Sequence, residues 1–314
     1  MDGRIFFARF YYYLHTENTP HELKKRQVKG LKMVLSDYLI RSIFPSALLQ
    51  ASARKRVEQR RNLYIICVAY LLFVACAELL TIYNPKAGIA SHTVILFILL
   101  FHSALVSEKD KNLSRFLMTL VLAPLIRILS LSMPLVHFSR ISWFILISIP
   151  VFIALLTCMW VQGLRAKDVG VYSPKLKHTP VEAGVILLAT PVGIVEYQIL
   201  KPAPFLGLEV GAANFIVASL IFIICTGFLE ELVFRGLLQY NTIKLIDRWW
   251  GIVFVSMLFC VLHVGNLALL DCVLAFLIGF IFSIVREKTG SIYGISVSHG
   301  IINIILFLVA PLYF

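Results

Sequence analysis

Residues 212–238 read AANFIVASLIFIICTGFLEELVFRGLL. From Ala212 to Leu229 the stretch holds no charged residue. An apolar run of about 20 residues is what a helix needs to cross a bilayer. Three charges then follow, Glu230, Glu231 and Arg235, with Gly236, Leu237 and Leu238 behind them. Ionisable groups at membrane depth are costly and face a bundle interior or a wet cavity when they occur. The run therefore predicts a spanning helix, and its charges pose the question of what they do there.

The rest of the chain repeats the signal. It has 314 residues, 59% hydrophobic and 15% charged, with a mean hydropathy of +0.86. A soluble domain carries roughly 25% charged residues. Apolar runs recur at about 62–83, 89–107, 116–136, 142–162, 181–200, 212–238, 250–264, 267–285 and 291–314. Only helices satisfy their backbone polar groups when single segments cross lipid. The expected fold is all-α: a polytopic transmembrane helical bundle of eight or nine spans. The first apolar stretch, IFFARFYYYL, is short, is broken by Arg9 and lacks a small-residue cleavage site, so it does not read as a signal peptide. The six cysteines all fall within apolar runs and read as small buried hydrophobes.

The formal net charge is +12, and 13 of the 29 Lys and Arg lie in residues 1–61. HELKKRQVKGLK and ARKRVEQRR carry most of them. No aromatic-interleaved pattern accompanies this charge, so no nucleic-acid partner is expected. The arm is read instead as a topology determinant and as a patch for anionic lipid headgroups. With nine spans and a cytosolic N-terminus, inside segments hold 24 Lys and Arg against three outside, Lys86, Arg140 and Lys201. That asymmetry is what the positive-inside rule requires. An integral, multi-pass protein of a bacterial cell membrane is favoured, or of the endoplasmic reticulum in a eukaryote. Three regions are expected: a basic arm at 1–61 with a surface-lying helix near 31–50, four accessory helices at 62–179, and a core at 180–314.

The core concentrates the polar residues. Glu231 and Arg235 are four apart, with the acid N-terminal, so they share a helix face in the favourable order. Glu230 has no basic residue at that spacing and must find a partner on another helix or hold a proton. A carboxylate in that condition is poised for acid–base work. The next run supplies His263 and then Asn266, and the last supplies His299 and Asn303, again four apart. His102, Glu78, Glu196, Arg127 and Asp271 read as satisfied buried side chains. For the C-terminal group, chemistry alone leaves three readings open: polar glue between helices, a transport pathway, or a catalytic site.

Spacing narrows them. EELVFR fits Glu-Glu-x-x-x-Arg, FCVLH (Phe259 to His263) fits Phe-x-x-x-His, and HGIIN (His299 to Asn303) fits His-x-x-x-Asn. Together and in this order, over residues 180–314, they resemble the CPBP family of CAAX proteases and bacteriocin-processing enzymes. The resemblance implies an intramembrane endopeptidase acting on a membrane-associated protein or peptide, prenylated in the best-known cases. It assigns water activation to Glu230 and His263 and oxyanion stabilisation to His299 and Asn303. Glu231, Arg235 and Asn266 are expected to support them. Glu230, Glu231, His263 and His299 have the chemistry to ligate zinc, but no His-Glu-x-x-His pattern is present. A metal-free glutamate mechanism is preferred and no cofactor is expected. The competing class is a non-catalytic membrane scaffold or regulator that keeps the fold; a transporter would show repeats or broken helices in both halves.

Overall fold

The computed structural model describes residues 45–132, 140–204 and 211–314. Residues 1–44 of the expected arm at 1–61, and with them most of the surface helix near 31–50, lie outside the described residues. The chain divides into two units, Met1–Asn62 and Leu63–Phe314. The second unit holds every candidate site residue and is described by itself below.

Among the described residues nine helices are long and apolar enough to cross a membrane. They are α1 (Val57–Tyr83), α2 (Pro85–Val106), α3 (Lys111–Ser132), α4 (Ile141–Gln162), α5 (Leu176–Leu200), α6 (Ala212–Leu245), α7 (Arg248–Asn266), α8 (Leu269–Thr289) and α9 (Tyr293–Tyr313). No strand occurs among the described residues. The fold is thus the expected all-α polytopic bundle, with the higher of the two span counts.

Local chemistry sets the helix starts. Asn84 caps α2 by accepting from the Ala87 amide at 3.1 Å, and Pro85 follows at the first helical position, where its missing N–H costs nothing. Asp110 caps α3 through the amides of Asn112 and Leu113, and Asp247 caps α7 through that of Trp250. α7 is α-helical only over Arg248–Val261, about 21 Å of rise. It then tightens into a 3₁₀ turn at Val264–Asn266, and Leu267 closes it with φ +56°.

Two features of α6 position the site. The first is its contact with α9. A Cβ on Gly227 would come within 2.4 Å of the Ser296 carbonyl, and one on Gly300 within 2.8 Å of the Ile223 Cα. Glycines at both positions let the two backbones touch, the usual device of helix pairs in lipid. The second is its winding. α6 is π-helical over Phe222–Phe228 and again over Leu232–Leu238, with one α turn, Leu229–Glu231, between. Wide turns of this kind recur at functional sites. Two carbonyls in the first π segment are taken up by hydroxyls: Thr226 Oγ donates to Phe222 at 2.5 Å, and Ser148 Oγ of α4 to Cys225 at 3.3 Å.

Candidate active site

The adjacent glutamates of α6 have different surroundings. Glu231 is fully buried. Its Oε1 accepts from Arg235 Nη1 at 3.1 Å and lies 2.8 Å from His299 Nδ1. The expected i, i+4 pair is therefore formed, and α9 adds a second partner to it. Arg235 is fully buried too, and among the described residues its guanidinium makes that single hydrogen bond. The Phe259 ring, 4.6 Å from its Cζ, and the Phe282 ring, 5.7 Å away, cover the rest. Aromatic faces attract such a cation most when water is excluded.

Glu230 points elsewhere. Its side chain keeps 34% of its exposure, and its Oε2 lies 3.8 Å from His299 Nε2. It lines a cavity of about 250 Å³ together with Thr226, Phe259, His263 and Asn266. The wall opposite comes from α3 and α4, through Arg127, Ser130, Trp143, Phe144, Ser148 and others. Two of the four helices that precede the core thus help to enclose the cavity.

His263 sits where α7 changes from α to 3₁₀. Its Nδ1 is 2.8 Å from the Phe259 carbonyl, an acceptor that the ending helix leaves free. A carbonyl can only accept, so Nδ1 carries a proton, and in the neutral ring Nε2 is then the acceptor. His299 stands between two acids, with Nδ1 on Glu231 and Nε2 toward Glu230. The ring can donate to both only as the imidazolium. Asn303, one turn on, donates from Nδ2 to Thr226 Oγ1 at 2.9 Å. Asn266 is less central: it lines the cavity and donates to Asp271 Oδ2 at 2.8 Å.

Glu230, Glu231, Arg235, His299 and Asn303 therefore gather at the α6–α9 contact, and His263 reaches the same cavity from α7. Phe259 links them. Its ring centroid is 4.7 Å from that of His263 and 6.0 Å from that of His299, while it also covers Arg235. The sequence reading used Phe259 only as a motif letter and passed over Thr226, although Thr226 precedes Glu230 by four residues. Glu78 and Arg127, read as lone structural groups, in fact pair with each other. His102 is held by the Tyr70 hydroxyl at 2.8 Å. No set of three His, Cys, Asp or Glu side chains among the described residues is arranged to hold a metal ion.

Glu230 and His263 line one cavity, with His299 and Asn303 beside Glu230 and Thr226 at the α6–α9 contact, and polar side chains gathered this way on three membrane-length helices fit a multi-pass membrane protein built around an intramembrane site. Residues 212–305 match the family model described as type II CAAX prenyl endopeptidase Rce1-like, within the CPBP family that the motifs resemble. The matched segment contains every candidate site residue from Glu230 to Asn303, and the family is one of proteases. No curated protein and no solved structure matches the chain.

Proposed function

We propose that this protein is a membrane-embedded endopeptidase in which Glu230 and His263 activate a water molecule. The observation that carries this reading is the division of labour between the glutamates. Glu231 is spent on Arg235 and His299, whereas Glu230 opens on the cavity opposite an imidazole whose Nε2 can accept a proton. Water held between Glu230 and His263 loses its proton to the carboxylate as its oxygen attacks the scissile carbonyl. The same carboxyl then returns that proton to the leaving amine. His299 Nε2 and the Asn303 amide stabilise the developing oxyanion from α9, with Thr226 fixing the amide. Glu231 keeps the His299 ring in place and Arg235 holds Glu231.

Substrate enters as a membrane-associated protein or peptide; a prenylated cysteine is the first candidate given the family match. In this reading the N-terminus lies in the cytosol, which the 24-to-three division of Lys and Arg supports, and its basic arm meets anionic headgroups. The deciding experiment is cleavage of a fluorogenic S-farnesylcysteine peptide by purified protein in detergent, compared across wild type, Glu230→Gln and His263→Ala. Full activity in either variant overturns the assignment.

Two further outcomes belong to this mechanism. Asn303→Ala is expected to leave residual activity, lower by about 10² to 10³, as for other single oxyanion donors. Thr226→Val, which removes the acceptor of the Asn303 amide, is expected to lower kcat in the same direction by less. Equal rates for Thr226→Val and wild type would show that Asn303 needs no such anchor. Of the four side chains with zinc-binding chemistry, Glu231 is engaged by Arg235 and by His299 Nδ1. Incubation with a zinc chelator is accordingly expected to leave the cleavage rate unchanged. A loss that added zinc restores would replace the metal-free mechanism.

A further inference from the structure

The cavity has a second polar wall. Arg127 of α3 lines it, and its Nε and Nη2 donate to Glu78 Oε1 and Oε2 of α1 at 2.6 and 2.7 Å. Glu78 is fully buried, as is His92 of α2, whose Nε2 lies 3.2 Å from the same Oε1. Arg127 keeps 18% of its exposure. The side-on pair with Glu78 uses two of its five N–H donors. The Nη1 end has no acceptor among the described residues. The guanidinium also lies close to the turn that carries His263: a Cβ on Gly265 would be 3.1 Å from Arg127 Nη2.

Gluing three helices together does not account for this arrangement. A buried ion pair is at best weakly stabilising, and apolar residues of similar volume commonly serve as well. Nor does it account for an arginine that keeps free N–H donors while lining the cavity that holds Glu230 and His263. An arginine held side-on by one carboxylate still offers a planar pair of donors on its Nη1–Nη2 edge, the geometry that a second carboxylate takes up bidentately.

We propose that Arg127 is a substrate-binding residue that takes a carboxylate of the peptide on that edge, with Glu78 and His92 as positioning residues. The inference rests on the peptidase reading above. Glu78 holds the guanidinium plane. His92 packs its Nε2 against Glu78 Oε1 at 3.2 Å and limits where that carboxylate can turn. The carboxylate is either the C-terminus of the peptide or an acidic side chain within it. Either would register the scissile bond against Glu230 from the opposite wall.

The test reads binding without cleavage. Three fluorescent S-farnesylcysteine peptides, each with three residues after the cysteine, are titrated by anisotropy into detergent-solubilised Glu230→Gln protein. One has a free C-terminus and no acidic residue, one the same sequence with a C-terminal amide, and one an amide with glutamate last. A carboxylated form is expected to bind about ten- to a hundredfold tighter than the plain amide, as for a hydrogen-bonded charged group. Which carboxylated form prefers the site names the source. Adding Glu78→Met and Arg127→Met together strands no charge and is expected to bring the preference close to one. A purely structural pair would leave the preference intact. Arg127→Lys, which keeps the ion pair and loses the planar fork, is expected to weaken the preference as well, and serves if the double variant does not fold. Equal binding of acid and amide, no binding by any form, or a preference that survives loss of Arg127 overturns the subsite. Cleavage of the same peptides by wild type judges the peptidase reading separately.

Discussion

Glu230→Gln is expected to slow peptide cleavage by about 10² to 10⁴, the usual contribution of a general base, while the melting temperature in detergent stays close to that of wild type. The asymmetry follows from surroundings. Among the described residues Glu230 has no ion pair shorter than 3.8 Å, and it keeps a third of its exposure, so glutamine, nearly the same shape, strands no buried charge. Glu231→Gln differs in both respects, since it would weaken the partner of a fully buried arginine and of His299. A Glu230→Gln protein that melts normally and cleaves at the wild-type rate would remove the mechanism. One that is inactive and also unfolded would show that Glu230 has a structural partner.

Arg235→Ala is expected to cost about 3–5 kcal/mol of stability, because it leaves Glu231 charged and buried with His299 alone beside it. It also removes the cation from between Phe259 and Phe282. Activity should fall with it, since Glu231 and His299 lose their fixed geometry. The double variant Glu231→Ala/Arg235→Ala strands no charge and should regain part of that stability. It should not regain activity, because His299 Nδ1 has then lost its acceptor. Melting temperatures and cleavage rates of the two purified variants decide the matter. A double variant no more stable than Arg235→Ala would mean that the ion pair is not what holds this part of α6.

The span count and helix positions were legible because apolar runs are long and the charge asymmetry is large. The Glu231–Arg235 pair was legible because its spacing is local. The expectation that Glu230 is the unpaired acid rested on the same local rule. What the sequence could not supply was anything set by contact between distant helices. His299 as the second partner of Glu231 depends on the Gly227–Gly300 approach, which brings α9 against α6. Phe259 was visible as a motif letter, but its place between Arg235 and the two imidazoles needs the packed bundle. Glu78 and Arg127, in separate runs, gave no sign of meeting each other, still less of Arg127 lining the cavity with Glu230. The π turns were hidden as well, since nothing in AANFIVASLIFIICTGFLEE announces that winding.

Those turns bear on how relatives of this chain should be compared with it. A π turn accommodates one residue more than an α turn covering the same rise, and a π bulge is equivalent to a single-residue insertion. A homologue whose helix is α-wound before its paired glutamates would place the counterpart of Thr226 correctly with one residue fewer in Phe222–Phe228. Column-by-column comparison would then set the wrong residue opposite Thr226 and report a difference where the geometry is shared. The gap belongs inside a membrane-spanning helix, where gaps are ordinarily forbidden.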